Sequence, residues 1–242
     1  MRKVASIQHE GGYTAICGFI CYDKIAYVLA TKNGEGKKPC MIYKIRLKDG
    51  KQMESILIAD GKNIAVHANS ITYYGGLFYI VTRNGAGRNY NQVLAVDKTG
   101  KIKKKYKYDH AKSKIATIAY DFAGKWYITV NGGEKVKCRE VELKDGWIRD
   151  RREIILHYPT DDIGNDIFAT YNEIYGAKVY ESMLGGYVAG FDKDGKWIEG
   201  DRIEPPKGYT KFEIEGYCSW VNEYIVVNGV KNGKQADGIW EV

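Results

Sequence analysis

Five short segments, each built around one tyrosine, recur along the chain at nearly constant spacing. They are IAYVLA (Tyr27), LFYIVT (Tyr79), KWYITV (Tyr127), EIYGAKV (Tyr175) and NEYIVV (Tyr224), separated by 52, 48, 48 and 49 residues. Upstream of each stands an isoleucine (Ile20, Ile71, Ile118, Ile167, Ile214), at intervals of 51, 47, 49 and 47. Downstream a turn repeats as KDGK (48–51), KTGK (98–101), KDGW (144–147) and KDGK (193–196). Three independent markers share one period, and a period of this length signals stacked copies of one supersecondary unit.

Each unit has the same plan. An inner strand a ends near the aligned isoleucine, and a short turn leads to the tyrosine-bearing strand b. A loop rich in Gly, Asn and Lys then leads to strand c, as in MIYKIRL (41–47), QVLAVD (92–97) or GYVAGFD (186–192). The D-G or T-G pair is a two-residue hairpin signal, and it opens a polar outer strand d. The composition, 28 Gly and 20 Tyr against 4 Pro, suits strands joined by tight turns. Four antiparallel strands in about 48 residues is the sequence form of a β-propeller blade. The fifth unit stops at GIWEV (238–242), the equivalent of strand c, while RKVASIQ (2–8) is spare at the N-terminus. The expected fold is therefore all-β: a single five-bladed β-propeller of four-stranded antiparallel blades, with the N-terminal strand closing the last blade and removing an open edge. The expected blades run approximately 9–58, 59–109, 110–158, 159–206 and 207–242 plus 1–8, in one domain 1–242.

No stretch approaches the roughly 18 apolar residues of a membrane span, and MRKVASIQHE lacks the apolar segment of a secretory signal. Five cysteines (17, 21, 40, 138 and 218) form an odd set without framework spacing, which favours reduced thiols and a cytoplasmic setting. Cys17 and Cys21 would lie about 13 Å apart on a strand, too far to share an ion.

The pattern resembles bacterial β-propellers of the broad NHL and gluconolactonase type. EIEGYCSWVNEYIVV (213–227) is similar to the E-G-x-x-W blade entry of gluconolactonase and regucalcin. The resemblance implies a divalent cation, Ca or Mg, held in the central tunnel by Glu, Asn and Asp, here Glu213, Asn69, Asn165 and Asp166. Those relatives have six blades and this sequence has five, so the resemblance bears on the fold more than on the activity.

The b–c loops hold nine basic residues (Lys32, Lys37, Lys38, Arg83, Arg88, Lys135, Lys137, Lys231, Lys234) against four acidic ones (Glu35, Glu134, Glu181, Asp237), a net +5 out of +7 for the chain. Glycine-rich basic loops around an axis would focus potential on an anion; a solvated rim is the plainer alternative. Four of these loops carry Asn-Gly, including Asn228–Gly229, where turn chemistry suffices. The lysine run KIKKKYKYDHAKSK (101–114) falls mainly on an outer strand, where lysines block edge-to-edge pairing, and this reading is preferred to a nucleic-acid patch.

The tunnel mouth is where the inner strands begin. His67, Asn69, Lys114, Asn165, Asp166 and Glu213 (or Glu215) are polar there, although blade packing wants small or apolar groups. They would bind an organic ligand, hold a cation through oxygen ligands, or only hydrate the tunnel and cap the blade entries. Asp161-Asp162-x-x-Asn165-Asp166 lacks the Gly and Glu of a calcium loop. No Ser or Cys is placed beside a histidine as a nucleophile would be. Three functions stay open. The first is a ligand-binding module, expected as a monomer with an oligomer left open, for a small polar anion (nucleotide, sugar phosphate or acidic glycan), with Arg83 and Arg88 steering it. The second is a metal-dependent hydrolase of lactonase type, and the third a protein-interaction scaffold.

Overall fold

The computed structural model describes residues 1–32, 39–58, 66–83, 91–108, 114–121, 124–131, 136–157, 169–175, 178–183, 187–192, 194–219 and 222–242. All its regular elements are strands, and no helix among the described residues is long and apolar enough to cross a membrane. In the first sheet β2 (Ala15–Tyr22), β3 (Ile25–Thr31) and β4 (Cys40–Arg46) run antiparallel, and the outer strand is broken into β5 (Lys51–Gln52) and β6 (Ile56–Ile58). Another sheet contains β15 (Ala169–Tyr175), β16 (Lys178–Met183), β17 (Tyr187–Asp192) and β18 (Trp197–Arg202) in sequence order.

The remaining two sheets need more comment. β7 (Val66–Tyr74), β8 (Leu77–Arg83), β9 (Gln92–Val96) and β10 (Ile102–Tyr108) form one antiparallel run. β11 (Lys114–Tyr120), β12 (Trp126–Asn131), β13 (Val136–Lys144) and β14 (Trp147–Ile154) form another. The two runs join into an eight-stranded sheet because β10 and β14 pair in parallel at Lys107↔Trp147 and Tyr108↔Ile148. The lysine-rich outer strand is thus not wholly a free edge. Lys103, Lys104, Lys105 and Lys107 are exposed, but the end of β10 is covered. Beneath that junction the Tyr108 hydroxyl donates to Asp150 (2.9 Å), whose carboxylate also receives Arg139.

The last sheet contains β19 (Tyr209–Ser219), β20 (Glu223–Lys231), the short β21 (Lys234–Gln235) and β22 (Gly238–Glu241). β1 (Arg2–Ser6) completes it by pairing antiparallel with β22 from Arg2↔Glu241 to Ser6↔Gly238. The spare N-terminal segment therefore supplies the outer strand that the C-terminal segment lacks. Lys3 lies over the Trp240 ring (5.7 Å), and Arg2 pairs with Glu241.

The five inner strands contact one another in a circle: β2 with β7, β7 with β11, β11 with β15, β15 with β19, and β19 with β2. Between them pack fully buried Phe19, Ile71, Ile118 and Ile214, each such side chain contributing roughly 1.5–3 kcal/mol. Register explains the tyrosine period. Tyr27 faces Ile20, Tyr79 faces Thr72, Tyr127 faces Ala119 and Tyr224 faces Cys218, always across an inner hairpin. Tyr175 does not belong to this set. It ends the inner strand β15, and the strand-b tyrosine of that sheet is Tyr180, opposite Glu173. In the sequence Tyr175 fits the period better than Tyr180 does, because EIY imitates the apolar–tyrosine pattern of the other strand-b segments.

The turn marker has a second cause beyond hairpin geometry. In each such turn the glycine has positive φ and lies against the outer strand of the preceding run. A Cβ on Gly50 would stand 2.4 Å from the Val4 carbonyl oxygen, on Gly100 2.1 Å from that of Leu57, and on Gly195 2.0 Å from that of Ile155. Gly146 is looser, 3.6 Å from the Lys105 oxygen, and its own carbonyl accepts from Lys107 N–H at 2.9 Å. The aspartates ahead of two turns fix their shape: Asp97 Oδ1 accepts from Thr99 and Lys101 amides, and Asp192 Oδ1 from Asp194 and Lys196 amides.

Two glycine substitutions separate backbone strain from contact between sheets. Gly75 has φ of +57°, but a Cβ added there would meet nothing within 4 Å, so Gly75→Ala is expected to cost only the left-handed penalty of about 1 kcal/mol. Gly100→Ala must also displace the Leu57 backbone and is expected to cost about 3 kcal/mol or more. Urea unfolding of the two variants checks the difference.

Candidate functional site

Every inner strand slips register at least once, β7 and β19 twice. The skipped residues are Cys17 in β2, His67 and Asn69 in β7, Ala116 in β11, Thr170 in β15, and Thr210 and Glu215 in β19. Counted back from the residue that faces the strand-b tyrosine, Cys17, Asn69, Ala116, Thr170 and Glu215 all stand three positions earlier. The slips are thus one feature repeated in five strands. A β-bulge leaves its extra residue outside the ladder and re-aims it, which is why bulges gather at sites.

Contacts between neighbouring strands place Cys17, Asn69, Ala116 and Glu215 at one level. Asn69 Nδ2 donates to the Ala116 carbonyl oxygen at 2.8 Å. Next to Cys17, Gly18 lies between two strands. A Cβ there would be 3.8 Å from the backbone oxygens of both Asn69 and Glu215. One residue on, Ser70 Oγ accepts from the Ile118 amide at 3.2 Å. Asn228 of β20 spans the same gap: its Oδ1 accepts from the Ile16 amide (3.3 Å), and its Nδ2 donates to the Ile16 carbonyl (3.2 Å) and to Glu215 Oε1 (2.7 Å).

Glu215 is the chemically notable member. Burial pushes its carboxyl up to about 7, against the opposing hydrogen bond from Asn228, and the charges of Glu213 and Asp237 add to the rise. Oε2 takes no hydrogen bond among the described residues, nor does Asn69 Oδ1. Burial likewise pushes the Cys17 thiol up to about 12, partly offset by its hydrogen bond with Thr31 and reinforced by Glu215, so this thiol is not a nucleophile at neutral pH. The arrangement supplies a carboxyl raised to about 7 by burial, flanked by amide groups, on the inner strands. It can donate or accept a hydrogen bond, and it can transfer a proton.

Of the residues expected from the sequence, Asn69 falls in this ring and His67 occupies a second bulge two residues ahead of it. Glu213 is paired opposite Asn228 and makes an ion pair with Lys211 (2.6 Å), its side chain more than a third exposed. The bulge between Ile214 and Gly216 gives the ring position to Glu215 instead. Arg83 ends β8, opposite Val66, and Lys114 begins β11, opposite Asn131. Arg88, Asn165 and Asp166 lie outside the described residues, as do Asn33, Lys37, Lys38, Asn84 and Lys135. Among the described residues no three His, Cys, Asp or Glu gather as metal ligands.

Asn228–Gly229 is not a turn. It sits inside β20, and the hairpin comes four residues later at Asn232–Gly233, both with positive φ (50° and 74°). Asn-Gly in a sequence carries the same turn signal in both places. What distinguishes Asn228 is its two-residue alternation with Tyr224 and Val226, a weaker signal than the glycine that follows it.

No family model matches the chain, and no curated protein matches it in sequence. Solved structures do match. Glutaminyl cyclase from Myxococcus xanthus superposes with a TM-score of 0.61 at 10% identity, covering 99% of this chain and 95% of the cyclase. A Bacteroides caccae protein of unknown function gives 0.50 at 10% identity, over 98% and 80%. Virginiamycin B lyase from Staphylococcus aureus gives 0.48 at 12% identity, over 98% and 88%. At these identities the likeness is one of fold, and the fold is that of β-propeller proteins.

Glu215 makes a signed prediction. Its folded value lies above the ordinary 4.5, so the native state holds a proton that the unfolded chain has released between pH 4.5 and about 7. Stability is full below that window and falls as pH rises through it, by roughly 3 kcal/mol. Glu215→Gln keeps an acceptor for Asn228 and cannot ionise. It is expected to match the parent near pH 4.5 and to exceed it in Tm above about pH 7, as thermal unfolding across pH would read.

Proposed function

We propose that the chain is a single five-bladed propeller, blades running approximately 9–58, 59–109, 110–158, 159–206 and 207–242 with 1–8, that captures a small polar anion at the mouth formed by its inner-strand bulges. Counting the eight-stranded sheet as two blades gives five, and the circular contact of five inner strands supports that count. The ligand class is a nucleotide, a sugar phosphate or an acidic glycan. The observation that carries the reading is Glu215, a part-buried carboxyl poised near neutrality beside Asn228 at the same level as Asn69.

Protonated, Glu215 donates a hydrogen bond to an anion while Asn69 and the neighbouring amides orient it. The basic loops steer: Lys32, Lys231 and Lys234 are exposed on the described part of this face. Lys3 and Lys231 stand close enough that burial and the neighbouring charge together lower the Lys3 ammonium. Such a surface attracts anions in a salt-dependent way.

A thermal-shift panel of phosphate, nucleotides, sugar phosphates and uronic-acid oligomers tests this at about pH 6 and pH 8 and at two ionic strengths. The expected hit raises Tm at pH 6, weakens at pH 8 and weakens in salt. Glu215→Gln, a permanent donor, is expected to bind equally at both pH values, and Asn69→Ala to weaken binding by about tenfold, one lost hydrogen bond. A panel without any salt-sensitive hit would overturn the reading.

One observation favours a second reading. A carboxyl raised to about 7 by burial is also suited to general acid–base catalysis. In that case the ligand is a substrate and Glu215 moves its proton. Turnover of a panel hit, or of a glutaminyl compound such as the cyclase neighbour is named for, abolished by Glu215→Gln while binding persists, would select the enzyme.

A further inference from the structure

The seam where the two ends of the chain meet holds a histidine outside the site described above. His9 follows β1 and is about one-seventh exposed, and Asp237, immediately ahead of β22, is 2% exposed. His9 Nδ1 is 2.8 Å from the Tyr13 carbonyl oxygen, and Nε2 is 2.7 Å from Asp237 Oδ2. Both partners are acceptors, so both ring nitrogens must donate, and only the imidazolium has two N–H groups. With neither nitrogen turned to open space, the pair is not arranged as a general base oriented by a carboxylate.

Asp237 in turn shapes the last hairpin. Its Oδ1 accepts from the Gly229 amide at 2.7 Å, and its Oδ2 also accepts from Gln235 Nε2 at 2.7 Å. Gln235 Nε2 lies 3.3 Å from the Thr14 carbonyl oxygen and 3.2 Å from His9 Nε2. The neutral imidazole keeps one N–H, so one of the two contacts loses its donor: either the Nδ1 lone pair faces the Tyr13 carbonyl oxygen, or the Nε2 lone pair faces the Asp237 carboxylate, where the Gln235 amide is the donor within reach. Either contact becomes repulsive, and the bridge from Tyr13 through His9 to Asp237 is broken.

We propose that His9 is a proton-operated latch on the propeller seam: as imidazolium it ties the segment after β1 to Asp237 and so holds the 229–237 hairpin down, and loss of its proton to solvent frees that hairpin. Burial by itself would lower the histidine, but the hydrogen bonds to Asp237 and Tyr13 outweigh it and raise it above the ordinary 6.5. The latch is closed below that raised value and opens as pH climbs through it. Other groups face the pair from each side: Lys3 of β1, Glu10 next in the chain, Tyr13, Tyr43 of β4 with its ring 6.0 Å from the imidazole, and Tyr209 and Glu215 of β19. Of these Glu215 also titrates near neutrality, so the test is run in the Glu215→Gln background as well.

Two measurements decide it on the full chain. The first is an NMR titration of the histidine rings, expected to show His9 protonating above the ordinary histidine value with both N–H groups present at low pH. Titration at or below 6.5 would overturn the latch. The second is amide hydrogen exchange of residues 228–238, corrected for the intrinsic pH effect. Protection of Gly229 is expected to fall about tenfold or more from about pH 6 to about pH 9, with and without Glu215→Gln. His9→Gln is expected to show the unprotected level at both pH values. Equal protection at both pH values in the parent, or parent-like protection in His9→Gln, would sink the proposal. The titration stands even where His9→Gln does not fold.

Discussion

The structure depends on closing a circle of sheets, each of which must approach the next along its whole depth. At the inner end the close approach is made by Gly216, where a Cβ would fall 2.8 Å from the Phe19 ring and 3.1 Å from its amide nitrogen. At the outer end it is made by the turn glycines against the preceding outer strand. Between the two ends, buried rings and aliphatic chains fill the space. Closing the circle also forces the two chain ends together, since β1 and β22 share a sheet. At this seam closure rests on paired strands from opposite ends of the chain, and a histidine–carboxylate pair and the neighbouring lysines Lys3 and Lys231 are found there.

Closure also explains why the polar groups sit on bulges. An inner strand pinned by a neighbour on each side has little room to present a side chain toward the axis. A skipped residue frees its side chain while the ladder resumes on either side. Holding the Glu215 carboxyl there is costly in its charged form, because burial raises it and only the Asn228 hydrogen bond and the Lys211 charge oppose that rise. Cys17 and Ala116, at equivalent bulges, show that the position does not itself demand polarity. The chain has placed a carboxyl and an amide there selectively.

Period and turn chemistry are properties of local sequence, so the repeat, the antiparallel units and the N-terminal strand's role are legible in the sequence alone. The site is legible only to within a residue or two. A bulge shifts everything beyond it by one position, and one position on a strand reverses its face. That is why counting does not separate Glu213 from Glu215, and why the structure gives the ring position to Glu215. Asn228 is hidden differently, because its following glycine gives a turn signal as strong as that of the true hairpin at Asn232–Gly233. Tyr175 shows the reverse error, in which a residue of the right type near the right interval stands in for Tyr180.

Asp237 connects the seam to the mouth. One of its oxygens holds the amide of Gly229, the residue after Asn228, and the other holds His9, while its charge also raises Glu215. A proton on His9 screens that charge and so favours ionisation of Glu215; loss of the proton leaves Asp237 unscreened and favours a protonated Glu215, provided the hairpin stays in place. If the hairpin instead withdraws, Asn228 goes with it and Glu215 loses the one hydrogen bond that opposes its rise. Either route makes the neutral carboxyl more favourable as the latch opens. His9 and Glu215 are therefore linked through the Asp237 carboxylate, and a variant at Asp237 shifts the titration of both.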